Sequence, residues 1–547
     1  RYIPTTQNVD IRKFDAEILH RYTTGRWIFN EETQFVRRYV KFNLPGLVNV
    51  CVKALGAKEC VGITKLLEGN FDKTFLVKVD TGRELIAKIP HPNAGPSYFT
   101  TASEVATMDY VQTVLGIPVP RVYDWSASTD NPVEAEYILL ERSRAVELAE
   151  VWATMTWDER SEIVQTLVKY DAAFASANLP MYGSLYYVKN LPSPNPSQYV
   201  ASTDATAKGE AFAVGPTTRR HFFSLGRDQA EIYRGPWSSP GEFVTAHAHC
   251  EMACINRSRS FPAPRGFFGG PSQYRPSREL KIEMLQNYLK VATQILPSNV
   301  ALSKPVLWHD SLCSENIFVD PAEPSKILNV IGWQAANIAP CFIQARHPPI
   351  LRLEDHQIPN GLKPVPRPDG FDEMSEAEQA QAEDLLTAQW LHQLYTICLH
   401  MKCPEAGQAL HFGNCLPAAA TVVASDVFDD REVMLFKLLI LLQDKWDAWV
   451  DPPLPCPLAF TPEDRERLAR LEASRDAGVK LLSELHEEIG TCRDWTGWTS
   501  HEKYPLFMER EARCREKFLE RFATTEAERK QWLAVWPFAD RPVEPPV

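Results

Sequence analysis

The chain has 547 residues, enough for roughly three or four domains or two larger lobes. Lys and Arg number 58 against 70 Asp and Glu, and the resulting net charge of −12 argues against nucleic acid or an anionic membrane as the main partner, since both need a basic face. Apolar residues make up 44% and aromatics 10%, which excludes a chain disordered throughout, while 42 prolines against 25 glycines point to long irregular connections. The 12 cysteines are too sparse and uneven for a disulfide-built scaffold, so reduced thiols in an intracellular, cytoplasmic protein are expected. Because the chain starts at Arg1, a mitochondrial location follows instead if a targeting segment has been trimmed. The longest apolar stretch, Val433 to Leu442, is interrupted by Lys437 and is too short for a membrane span.

Residues 1–60 read as an N-terminal extension with one or two helices. From Ile63 the texture changes: two β-rich runs, Thr74–Val79 and Glu84–Ile89, flank the turn signal Asp80-Thr81-Gly82. Residues 101–115 have helical spacing and end at Gly116, and a short apolar strand follows at Glu136–Glu141. Beyond it the chain turns helical, with an amphipathic helix over Trp157–Leu179, a loop-rich insert over 190–245 and a further helix around Gln286–Leu296. Short strands return over 305–335, a proline-rich loop spans Pro348 to Asp372, and helices dominate from Glu373 to the end. The expected organisation is an extension over 1–60, a small β-rich lobe over 61–141, a larger lobe core over 142–372, and its helical completion over 373–547.

Two segments carry chemistry. Glu68-Gly69-Asn70-Phe71-Asp72, followed by Lys88 on the next strand, has the layout of a turn that lies over phosphates with a lysine reaching their oxygens. Glu104 on the following helix is placed to hold Lys88 as an ion pair. Alone this is weak, because one glycine in a turn is usually just a turn. The second segment, Leu307-Trp308-His309-Asp310-Ser311-Leu312-Cys313-Ser314-Glu315-Asn316, is followed by Val330-Ile331-Gly332-Trp333-Gln334. Strand, loop, strand, strand is the order in which kinases place a base, a metal-binding Asn and a metal-binding Asp.

On these residues, together with SEVATMDYVQTVLGIPVPRVYDW, YILLER, RGPWSSP and IGWQAANIAPCFIQAR, the chain resembles the aminoglycoside phosphotransferase and choline-kinase-like superfamily, in its large fungal branch, from about Ile63 to Arg346. The resemblance implies a bilobal, protein-kinase-like α+β fold, ATP as cofactor and a small-molecule ligand in the cleft between the lobes. The departures matter as much. Where the family has its base Asp this chain has Ser311, where it has a second His this chain has Cys313, and where it has a metal-gripping Asp this chain has Gly332. Lys88, Glu104, Gly69 and Asn316 remain as nucleotide-site residues, and Mg²⁺ loses its main ligand.

Three readings follow. The first is a kinase-fold protein that has lost phosphoryl transfer and binds a nucleotide or other small molecule. The second is a metal-free acid–base enzyme using His309, Asp310, Ser311 and Cys313 on a small metabolite. The third is an active phosphotransferase with Asp310, one position early, as displaced base. His309 also reads as a brace of its loop, and Cys313 as an inert thiol. His247, Cys250 and Cys254 share one helix face in a spacing zinc could use, although packing into the core is the simpler account. No metal site is assigned.

Overall fold

The computed structural model describes residues 16–541 apart from 201–209, 259–260, 262–265, 272, 355–356, 358–362, 364, 452 and 493–494. The first 15 residues of the expected extension, and parts of the 190–245 insert and of the Pro348–Asp372 loop, therefore lie outside the described residues.

Helix α1 (Leu44–Ala54) precedes β1 (Cys60–Lys65), β2 (Asp72–Val79) and β3 (Glu84–Pro90). Then come α2 (Phe99–Thr113), β4 (Val122–Ser126) and β5 (Tyr137–Glu141), and the five strands form one antiparallel sheet in the order β1-β2-β3-β5-β4. The sheet forms because β2 and β3 alternate by burial: Phe75, Val77 and Val79 with Leu85, Ala87 and Ile89 are fully enclosed and pack on Leu47 and Cys51 of α1. Gly82 makes the β2–β3 turn at φ +77°, with open space around it.

The larger lobe opens with α3 (Trp157–Ser176), started by a capping box between Thr156 and Glu159. The helix stops three residues short of the expected Leu179, since Leu179 precedes Pro180 and is biased to extended backbone. Strands β6 (Ser184–Tyr187) and β7 (Phe212–Gly215) pair as a small ribbon, followed by α4 (Pro240–Arg257) and α5 (Arg278–Val291). Strand β8 (Pro305–Trp308) leads to β9 (Ile317–Asp320), β10 (Glu323–Val330) and β11 (Asn337–Pro340). Because β8 pairs with β11 and β9 with β10, the loops 309–316 and 331–336 are brought side by side. Helices α6 (Glu376–Lys402), α7 (Pro404–Phe412), α8 (Leu416–Ala424) and α9 (Glu432–Asp444) complete the lobe's core. The fold is α+β and bilobal, a small sheet-and-helix lobe followed by a larger, mostly helical one.

The tail, α10 (Pro462–Ile489), α11 (Tyr504–Phe522) and α12 (Glu526–Ala534), has a core of its own around Phe267, Phe518, Trp532 and Trp536. It returns to the N-terminal segment: Arg26–Trp27 pairs antiparallel with Trp498–Thr499, and the Trp498 indole N–H donates to the Tyr22 hydroxyl at 3.1 Å. Among the described residues no helix is long and apolar enough to cross a membrane.

Candidate functional site in the interlobe cleft

Lys88 lies on β3 between Thr74 of β2 and Ile138 of β5, so its side chain leaves the middle of the sheet toward α2. Its ammonium donates to Glu104 Oε1 at 2.5 Å and stands 3.6 Å from Asp72 Oδ2. Burial pulls its pKa down, but the Glu104 and Asp72 carboxylates outweigh that and hold it above the ordinary lysine value. The pair is almost out of solvent, with side-chain exposures of 11% and 5%.

The loop Glu68–Asp72 is pinned from behind. Buried Glu68 accepts from the Lys73 ammonium at 2.7 Å and from the Thr23 backbone N–H at 2.6 Å, and its own N–H donates to Thr24 Oγ1 at 2.8 Å. Lys73, fully buried, also donates to the Arg38 carbonyl at 2.8 Å, and burial lowers its pKa to about 8. Gly69 itself is exposed, and a Cβ there would stand 3.5 Å from Asp72 Oδ1, an ordinary contact, so the space around it does not require a glycine. The loop's geometry is owed to Glu68 and the N-terminal segment, a bracing role that the sequence does not announce.

In the larger lobe, His309 is buried and braces two loops. Its Nδ1 accepts from the Ser311 N–H at 3.2 Å, which leaves Nε2 to carry the proton and donate to the Ile331 carbonyl at 2.9 Å. Trp333 meets the ring edge-on at 4.4 Å, and burial lowers the imidazole's pKa, so it stays neutral. Asn316 donates from Nδ2 to the Ser311 carbonyl at 2.8 Å, and its own carbonyl accepts from the Ile331 N–H at 2.9 Å. Asp310 is exposed and accepts from Asn337 Nδ2 at 3.4 Å. Cys313 has its thiol pKa pushed up by burial first and by Glu315 second, which suits a thiol and not a thiolate.

Gly332 has φ +88°, and a Cβ on it would lie 2.9 Å from Asn316 Nδ2. The backbone here is shaped for glycine. A divalent cation would find one neutral amide oxygen on Asn316 and no carboxylate at 332, whereas Mg²⁺ sites are built from one or two carboxylates plus substrate phosphates. The residues present do not fit Mg²⁺.

The sequence reading also missed the arginines. Arg220, in the turn Arg220–Phe222 after β7, lies with its guanidinium 3.5 Å from the centroid of Phe71 and donates from Nη2 to Gln334 Oε1 at 3.3 Å. It thereby joins the loop of the small lobe to the segment just past Gly332. Burial pulls its pKa down, opposed by the charges of Glu104, Asp72 and Asp310. Arg346 behaves alike, lowered by burial and by Arg219 and raised by Asp310. The adjacent pair Arg219-Arg220, with no acidic residue near it in sequence, was the signal that could have found them. Elsewhere, Cys250 and Cys254 are buried in the core, His247 packs on Phe222 at 4.5 Å and Phe243 at 5.0 Å, and among the described residues no group of three or more His, Cys, Asp or Glu is gathered to hold a metal ion.

No protein-family model matches the chain. A subtelomeric hrmA-associated cluster protein of Aspergillus fumigatus is 30% identical over 514 residues, covering 88% of this chain and 97% of that protein. The chain belongs to that protein's family. More distantly, it is 23% identical over 494 residues to altered inheritance of mitochondria protein 9, mitochondrial, of Yarrowia lipolytica, covering 83% of this chain and 81% of the relative. Among solved structures it is similar to the aminoglycoside phosphotransferase APH(4)-Ia at TM-score 0.34 and 12% identity, over 80% of this chain and 99% of that one. The ADP-bound APH(2'')-Ib matches at TM-score 0.35 and 8% identity, again over 80% and 99%.

Proposed function

We propose that this family member uses its kinase-like cleft to bind a nucleotide or another small molecule and does not transfer phosphoryl groups. One observation carries the reading: the lysine–glutamate pair that positions phosphates in kinases is intact and buried, while the base and metal positions hold Ser311 and Gly332. Losing one well-placed electrostatic stabiliser costs on the order of 3–4 kcal/mol, a factor of about 10² to 10³ in rate, and losing base and metal ligand together should cost more. A second reading, metal-free acid–base work, is favoured by Asp310 alone, an exposed carboxylate whose charge reaches Arg220 and Arg346. A displaced-base phosphotransferase would also need the metal ligand that Gly332 cannot supply. The names of the more distant relatives support a mitochondrial place of action.

A thermal-shift panel with ATP, ADP and Mg²⁺ tests the main reading, because a ligand that binds only the folded chain raises its apparent stability. Nucleotide or another metabolite should stabilise the chain with no product formed. ATP-dependent product that vanishes in Asp310→Asn would overturn the reading in favour of the displaced-base enzyme, and ATP-independent product lost in the same variant would favour acid–base chemistry.

A further inference from the structure

The arginines are presented by a fixed piece of backbone. The Thr217 N–H donates to the Arg234 carbonyl at 2.8 Å, the Thr218 N–H to Ser184 Oγ at 3.0 Å and the Arg219 N–H to Thr217 Oγ1 at 3.1 Å. From this anchored turn Arg220 reaches between Phe71 and Gln334. In a phosphotransferase the ground between the phosphate loop and the metal-binding segment is occupied by the metal and the phosphates it grips. Here a guanidinium stands there.

That guanidinium is under-used. Among the described residues no carboxylate lies within ion-pair distance of it, and its one hydrogen-bond partner is the neutral Gln334. Its Nε, together with Arg219 Nη1 and Gln334 Nε2, is shut from water without an acceptor. Each such group costs about 1–3 kcal/mol when left unpaired. All three are N–H donors, so what would satisfy them is an oxygen-rich acceptor, and the cations beside them ask for negative charge. A guanidinium fork suits phosphate oxygens in particular.

We propose that Arg220 takes over, in this chain, the charge neutralisation a divalent cation performs in phosphotransferases, and that the cleft binds a phosphate-bearing small molecule through Arg220 and Lys88 without metal. The proposal rests on the binding reading above and names the ligand's chemistry. Lys88 meets the phosphates from the small lobe and Arg220 from the larger one. With Ser311 and Gly332 at the positions where a kinase has its base and its metal-binding carboxylate, the arrangement supports binding without turnover.

Calorimetry on the full chain tests it, with ADP, inorganic tripolyphosphate and adenosine as probes, first in EDTA and then in Mg²⁺. The two phosphate probes should bind in EDTA, adenosine much more weakly, and Mg²⁺ should not tighten either. Arg220→Gln should weaken both phosphate probes by about 10- to 100-fold, the equivalent of losing a charged hydrogen-bond donor. Arg220→Lys keeps the charge and the fold's cation, and should fall between the two, which separates loss of the grip from misfolding. Binding that requires Mg²⁺ would overturn the proposal. So would affinity that is unchanged or tighter in Arg220→Gln, because Arg220 would then merely hold Phe71 down. If no phosphate probe binds while another metabolite stabilises the chain in the thermal-shift panel, this proposal fails and the binding reading stands.

Discussion

A side chain at position 332 should be costly in a way that can be worked out beforehand. Gly332→Ala places a Cβ on a residue at φ +88°, and L-residues pay about 1–2 kcal/mol for left-handed backbone. The same Cβ would lie 2.9 Å from Asn316 Nδ2 and 3.1 Å from its Cγ, so the amide must move. Moving it gives up the 2.8 Å bond to the Ser311 carbonyl, worth about 1 kcal/mol. The expected loss is about 2–3 kcal/mol. Gly82→Ala is the control, because Gly82 has φ +77° and nothing within 4 Å, leaving only the backbone cost. Urea unfolding of the two variants should therefore differ by about 1 kcal/mol, with Gly332→Ala the less stable. Equal midpoints would refute the claim that Asn316 and Gly332 are mutually fitted. The same fit bears on function: Ser311→Asp with Gly332→Asp returns both missing carboxylates, yet it should leave ATP hydrolysis absent, since the second change dislodges the Asn316 that a metal would need.

Lys88→Met should destabilise the chain by about 3–5 kcal/mol, because it strands buried Glu104, and adding Glu104→Gln should recover much of the loss in the same unfolding assay. Asp171, fully buried on α3 and accepting from the Tyr395 hydroxyl at 2.7 Å, has its pKa raised by burial to about 7 from an ordinary 3.8. A carboxyl that holds its proton longer in the folded chain makes stability fall as pH rises from about 4 through about 7, by on the order of 4 kcal/mol. Asp171→Asn should flatten that fall, and identical pH profiles of the two proteins' urea midpoints would refute the assignment.

How far the residues could be read depended on whether their partners were local. The β2–β3 hairpin was legible because Asp80-Thr81-Gly82 sits between two alternating runs, and α2 because its apolar spacing ends at Gly116. Lys88 and Glu104 were legible as a pair through their resemblance to kinases. Glu68 was not, because its partners Thr23, Thr24 and Lys73 come from another segment and from the neighbouring strand, and nothing in a run of Glu-Gly-Asn-Phe-Asp announces a buried carboxylate. Arg220 escaped for the same reason. Its contacts, Phe71 and Gln334, lie more than a hundred residues away on either side, and the insert that carries it reads as loop. The helical tail was legible as helices. Its return to Tyr22 and Trp27, which ties the helical tail to the segment clamping the Glu68–Asp72 loop, was not.

The charges around Lys88 and Arg220 favour the proposed anion over a divalent metal. Lys88, Arg219, Arg220 and Arg346 bring four cations against the carboxylates of Asp72, Glu104 and Asp310, and the further neighbours of Arg346, Arg352 and Asp426, cancel each other. A divalent ion entering such a site would meet repulsion from Arg220 in surroundings of reduced dielectric, where like charges cost more than in water. A phosphate would instead lower the excess. The absence of a carboxylate at 332 and the presence of a guanidinium at 220 thus push in the same direction, because each makes the site poorer for Mg²⁺ and the second makes it better for an unaccompanied anion. The two positions should therefore be coupled. With Arg220→Gln in the background, any residual Mg²⁺ dependence of nucleotide binding should rise rather than fall, since the cation that opposed the metal is gone.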